Sequence, residues 1–265
     1  AETRYREDPV RMLRAARFAA KLDFTLHPDT EAPLHRLAYM LDSVPPARLF
    51  DEVTKLFLAG SALASFDVLV KLGLLPHLMP DVATAVAENP DGPGAQVLRL
   101  GLGNTDERVR ADKSVTPTFL FAVLLWPAIL RAAGAPRGPL PSDPQLLLTA
   151  IDDVLGRQLR RITLPKRFGL PMRDLIMLQP RFERRSGRRA LRLLEHPKFR
   201  AAYDFLLLRA AAGEADPEIA AWWTRLQELP EQERIAEVEG RPAEPGEAPH
   251  RKRRPRRRRK RPATP

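Results

Sequence analysis

The chain has 265 residues, with 44 Lys+Arg against 33 Asp+Glu, a formal charge of +11, 27 prolines and no cysteine. That length, with 44% hydrophobic residues, supports one large domain or two small ones around a real core. The missing cysteines exclude a disulfide framework, a thiolate nucleophile and Cys-ligated zinc or iron–sulfur sites, and agree with a reducing cytoplasm.

The opening AETRYRED carries neither an initiator Met nor an apolar signal region, so secretion is not indicated and the start reads as a cut. Next, Asp8-Pro9 is a helix-start signal that predicts a helix over 9–22. At 100° per residue, Arg11, Arg14, Arg17 and Lys21 fall on one face and Met12, Leu13, Ala16, Ala19 and Ala20 on the other. Helical spacing recurs over 45–60, 61–75, 115–130, 143–159, 168–179, 187–196, 199–213 and 216–229, with no convincing alternating strand. Thr30, Asp143 and Asp216 are expected caps, and Gly60, Gly73 and Gly213 expected stops. The apolar run 119–130 is too short for a bilayer and reads as a buried helix, so no membrane span is expected. Residues 134–144 read as a proline-rich connector and 239–250 as a flexible lead, so the folded part is expected to end near Pro230. The fold class is all-α.

Residues 251–261 read RKRRPRRRRKR, ten cations (Arg251, Lys252, Arg253, Arg254, Arg256, Arg257, Arg258, Arg259, Lys260, Arg261) around one proline. Without those ten, 34 basic residues face 33 acidic ones, so the body is nearly neutral. A run with no apolar surface and mutually repelling charges is expected to be disordered, and its natural partner is a polyanion, nucleic acid ahead of an anionic membrane.

Catalytic signals are sparse. The five histidines show no metal-ligand spacing, no phosphate-cradling glycine loop occurs, and no D-x-D pair is available to clamp a divalent metal. Asp152-Asp153 and Glu214-Ala215-Asp216 read as solvated or capping carboxylates, and Asp174 as an ion partner of Arg173. What stands out is Glu7, Asp8 and Arg11, where an acceptor and a fork of donors one turn apart can read a base edge or simply cap and pair locally. A second basic cluster, Lys166, Arg167, Arg173, Arg181, Arg184, Arg185, Arg188 and Arg189, has Phe168 and Phe182 interleaved. Its cations suit phosphates, and each ring is either a stacking platform or core.

The segment RYREDPVRMLRAARFAAKL closely resembles the link between head and neck in class II nucleotidyltransferases, the bacterial poly(A) polymerases and CCA-adding enzymes. The resemblance continues through 45–57, 104–126, 164–182 and 187–210, where it favours the poly(A) polymerases. It implies that Glu7, Asp8 and Arg11 belong to a base-recognition pocket, with Arg14 and Arg17 extending that surface toward triphosphate or RNA. It also implies ATP as substrate, RNA 3′ ends as partner, and AMP transfer that polyadenylates RNA and promotes its decay. Mg²⁺ is implied only for a catalytic head that this stretch does not contain, so no catalytic residue is assigned. The implied layout is an irregular neck-and-body helix array: neck 1–60, body 61–160, RNA-binding helices 161–230 and a disordered Arg-rich tail 231–265. A monomer is expected, with an RNA chaperone or degradation complex as further partners. The rival readings are a non-catalytic RNA-binding module, a helical scaffold for a protein partner, and a CCA-adding tRNA nucleotidyltransferase.

Overall fold

The computed structural model describes residues 1–136, 138–141 and 143–241. Among them every regular element is helical. The amino-terminal elements are α1 (Glu2–Glu7), α2 (Val10–Leu22), α3 (Pro28–Leu37), a 3₁₀ turn (Ala38–Ser43), α4 (Pro46–Phe57) and α5 (Ala62–Lys71). The middle holds α6 (Leu75–Leu78), α7 (Pro80–Glu88), α8 (Pro93–Arg110), α9 (Pro117–Ala132) and α10 (Pro144–Arg161). After them come α11 (Lys166–Met177), a 3₁₀ turn (Gln179–Glu183), α12 (Gly187–Leu194), α13 (Phe199–Ala211), α14 (Pro217–Glu228) and α15 (Glu231–Glu239).

The centre is α9, whose residues 120–130 are all buried, Pro127 included, with α7, α8, α10 and α11 packed around it. Pro127 is tolerated because the helix is held by tertiary packing on every side rather than by its own ladder alone. Close approach of α8 depends on two glycines seven residues apart. A Cβ on Gly101 would come within 2.6 Å of Val123 Cγ1, and one on Gly94 within 3.2 Å of the Pro127 Cα. One continuous apolar core runs from Tyr5 to Val238.

Local signals explain most helix ends. Asp143 accepts from the Gln145 amide and Asp216 from the Glu218 amide, both at 2.9 Å. Gly60, Gly73 and Gly213 take φ values of +81°, +68° and +72° where their helices stop.

Several expectations need correction. Thr30 lies inside the first turn of α3, whose cap is His27, because Pro28 occupies the first helical position and moves the cap upstream. The stretch 80–110, given no helix from periodicity, forms α7 and α8, since its glycines and scattered charges blur the apolar stripe that tertiary packing then supplies. Folding does not end at Pro230. Helix α15 buries Val238, and Glu237 accepts from Trp222 Nε1 at 2.7 Å. Asp106, in α8, reaches across to accept the Ala62 and Leu63 amides at the start of α5. It satisfies donors that Ser61 does not cap.

Candidate nucleotide and nucleic-acid interface

The base-reading candidates gather where α1 meets α2. Pro9 lacks an amide proton and separates the two helices, which places the Asp8 carboxylate at the head of α2. Its Oδ1 accepts the Val10 amide at 3.3 Å, and its Oδ2 takes Arg48 Nη2 from α4 at 2.8 Å. Capping therefore does occur, and Arg48 is a partner that sequence spacing could not supply, being forty residues away. Arg11 lies 3.6 Å from Glu7 and 3.9 Å from Asp8, too long for strong hydrogen bonds, and stays 35% exposed. A carboxylate has about four acceptor sites and Arg five donors, so Asp8 and Arg11 both keep capacity for a planar ligand.

Arg14 follows one turn later, 3.5 Å from Glu52, a carboxylate on α4 that is only 6% exposed and is shared with Lys55 at 3.1 Å. Arg17 has no carboxylate partner among the described residues. Its guanidinium stands over Phe18, 5.3 Å from the ring centroid. Phe18 is 52% exposed and sits between the angular positions of Arg11 and Arg14. The sequence reading assigned nothing to Phe18, yet the wheel that identified the cation ladder also places this ring on it.

α1 is fastened by Glu2, which bridges Arg6 at 2.7 Å and Arg36 of α3 at 2.6 Å. The hydrogen bond from Arg6 leads in holding the Glu2 carboxyl below the ordinary carboxylate range.

The second cluster divides in two. On α11, Lys166 and Arg167 are exposed, with Arg167 standing over Phe168 at 4.9 Å. Phe168 in turn stacks on Phe50, so this ring is mainly a packing element. Arg173 pairs with Asp152 of α10 at 2.9 Å and not with Asp174 as expected, because adjacent side chains diverge around a helix.

Arg181 lies on the second 3₁₀ turn, Arg184 and Arg185 on the link that follows it, and Arg188 and Arg189 at the start of α12. Phe182 between them is fully buried against Trp223 and Phe199, which makes it core. Arg181, Arg184, Arg189 and Arg192 line one recess of about 330 Å³. Arg192, one turn beyond Arg188, was absent from the expected set. The ten cations from Arg251 to Arg261 lie outside the described residues.

Behind this region is a buried polar chain that the sequence reading missed. Glu214, expected to be solvated or capping, is enclosed and accepts from Trp126 Nε1 at 2.6 Å and Arg209 Nε at 2.9 Å. Arg209, 2% exposed, also donates to Gln179 Oε1 at 3.2 Å, and Gln179 donates to the Ala202 carbonyl at 3.0 Å. Gln179 opens the turn that carries Arg181, so the chain fixes that turn to α9 and α13.

No group of three or more His, Asp or Glu among the described residues is arranged to hold a metal ion. The carboxylates near α2 are committed to Arg48, Arg14 and Lys55, so this donor set does not fit Mg²⁺. No described helix is long and apolar enough to cross a membrane.

Residues 142–261 match the sequence family described as "Polymerase A arginine-rich C-terminus", and residues 23–86 match "Probable RNA and SrmB- binding site of polymerase A". The class is therefore that of the helical regions of polymerase A proteins that these two descriptions name. Over 231 residues the chain is 45% identical to Poly(A) polymerase I of Escherichia coli O6:H1, covering 85% of this chain and 49% of that protein. Over 228 residues it is 38% identical to Poly(A) polymerase I of Haemophilus influenzae, covering 85% and 50%. A Multifunctional CCA protein of Cupriavidus metallidurans is 38% identical over only 81 residues, 29% of this chain. The chain belongs to the poly(A) polymerase I family and spans about half the length of the curated relatives it matches.

Proposed function

We propose that this chain is the base-reading and RNA-holding part of an enzyme that adds AMP from ATP to RNA 3′ ends in the cytoplasm. The observation that carries the reading is the match to Poly(A) polymerase I over 85% of the chain. In the overall reaction the RNA 3′ hydroxyl attacks the α-phosphorus of ATP, the bond to the β-phosphate oxygen breaks, and pyrophosphate leaves. A polymerase without a template must choose its base with side chains, and Asp8 and Arg11 are assigned that role. Asp8 supplies acceptor sites and Arg11 donors for the adenine edge, with Glu7 and Arg48 restraining their orientation. Arg14 and Arg17 extend positive charge along α2 toward triphosphate or RNA. Cations from Lys166 to Arg189 and the tail 251–261 hold the RNA backbone.

The family description for residues 23–86 names SrmB beside RNA, so a protein partner docking on α3 to α7 belongs to this reading. The CCA-adding alternative is disfavoured by the short extent of that match.

Primer extension tests the proposal. Purified chain with labelled ATP, Mg²⁺ and an oligo(A) primer is expected to add nothing, because the chain has no D-x-D carboxylates to stabilise the transferring phosphoryl group. Joined to the part of Escherichia coli Poly(A) polymerase I that it does not match, the chain is expected in the same assay to add AMP in preference to CMP. Absence of extension by the joined protein, or preference for CTP, would overturn the reading.

A further inference from the structure

We infer that the recess formed by Arg181, Arg184, Arg189 and Arg192 is a discrete phosphate site that takes one nucleotide unit of single-stranded RNA by its backbone phosphate. The inference rests on the RNA-holding reading above and sharpens it to four side chains.

Charge balance is the first ground. Several exposed arginines elsewhere on the surface are matched by carboxylates: Arg99 with Asp67 at 2.7 Å, Arg131 with Glu88 at 2.6 Å, and Arg157 with Asp81 at 2.7 Å. At the recess, Arg181, Arg184 and Arg192 have no carboxylate within 4 Å among the described residues, although they converge on one space. Three like charges held close together, Arg181, Arg184 and Arg192, repel one another, and an entering anion reverses the sign of that term. Guanidinium groups are also the side chains best suited to grip phosphate through paired N–H donors.

Rigidity is the second ground. The turn under Arg181 and Arg184 cannot swing freely, because Phe182 is buried and its carbonyl accepts from Trp223 Nε1 at 2.8 Å. The buried Arg209–Gln179 contact fixes its start. On α12, Ala190 and Leu193 are buried, which turns Arg189 and Arg192, three residues apart, to one open face. The four arginines are thus mounted on packed elements, unlike cations on a flexible tail.

Size is the third ground. A recess of about 330 Å³ is at the lower end of ligand pockets and accommodates a nucleotide unit rather than a duplex.

Fluorescence anisotropy of the full chain with labelled oligo(A) at several salt concentrations decides the point. Arg184→Gln and Arg192→Gln are each expected to weaken binding about tenfold at low salt. Each should also flatten the log–log salt slope by about 0.7. Arg192→Lys should restore the slope, since it restores the charge, while regaining only part of the affinity. Both residues are exposed and unpaired by carboxylates, so circular dichroism should be unchanged. Wild-type affinity and slope in both Gln variants would overturn the recess while leaving RNA binding by the chain intact. A wild-type chain with no RNA affinity would instead overturn the RNA reading itself. If the variants lose binding of inorganic pyrophosphate but keep that of oligo(A), the recess holds a free anion and the RNA assignment falls.

Discussion

The two cationic surfaces of this protein are built on opposite electrostatic plans. At the head of α2, Arg11 lies near Glu7 and Asp8, Arg14 near Glu52, and Arg48 on Asp8. At the turn before α12, Arg181, Arg184 and Arg192 face one another across a recess with no carboxylate among the described residues to offset them. Pairing fixes where a guanidinium points at the cost of net attraction for anions, and lack of pairing does the reverse. The first arrangement suits the reading of a neutral base edge, where geometry discriminates. The second suits phosphate, where charge matters and sequence does not.

The comparison is exposed most severely at the buried scaffold behind the recess. Glu214→Ala leaves Arg209 charged and without its carboxylate in an enclosed site, with an expected loss of ~3–5 kcal/mol of stability by urea denaturation. Glu214→Gln, which keeps an acceptor for Trp126, should lose less. Equal stability of Glu214→Ala and wild type would mean that the turn carrying Arg181 is held by apolar packing alone.

Removing residues 251–265 tests whether unpaired charge governs RNA affinity. If about six of the ten tail cations engage a single strand, the log–log salt slope should flatten by about 4, at ~0.7 per contact. All RNA sequences should weaken about equally. An unchanged slope would transfer the affinity to the folded body and its arginine recess.

On the paired surface, Arg11→Ala in the chain joined to the unmatched part of Escherichia coli Poly(A) polymerase I should cost ~1–3 kcal/mol in discrimination of ATP from CTP, measured as a ratio of kcat/KM values. RNA affinity should change little. An unaltered preference would reduce Asp8 and Arg11 to a helix cap and its neighbour. A smaller effect is expected for Arg48→Ala, which frees one oxygen of a partly exposed Asp8. A stability change of at most ~1 kcal/mol should accompany a partial loss of ATP preference, because Asp8 keeps its bond to the Val10 amide. Full retention of that preference would show that Arg48 does not position the carboxylate.

The sequence determined by itself whatever depends on neighbours within one or two turns. Apolar spacing was sufficient for α2, α4, α5 and α9 to α14, Asp143 and Asp216 for two starts, and Gly60, Gly73 and Gly213 for three ends, because capping and left-handed turns are local events. The segment at Glu7, Asp8 and Arg11 and the density of arginine near α12 were legible for the same reason. Tertiary structure alone decided which charges meet. Arg48 on Asp8, Glu52 under Arg14, Asp152 on Arg173, Asp106 on the amides of α5, and Glu214 between Trp126 and Arg209 join residues 20 to 90 positions apart in most cases. α8 shows the same limit in apolar form, since the purpose of Gly94 and Gly101 exists only where α9 presses against them. Periodicity assigns a residue to a face, but the folded chain assigns that face a neighbour, and the neighbour determines whether an arginine is satisfied or left to seek an anion.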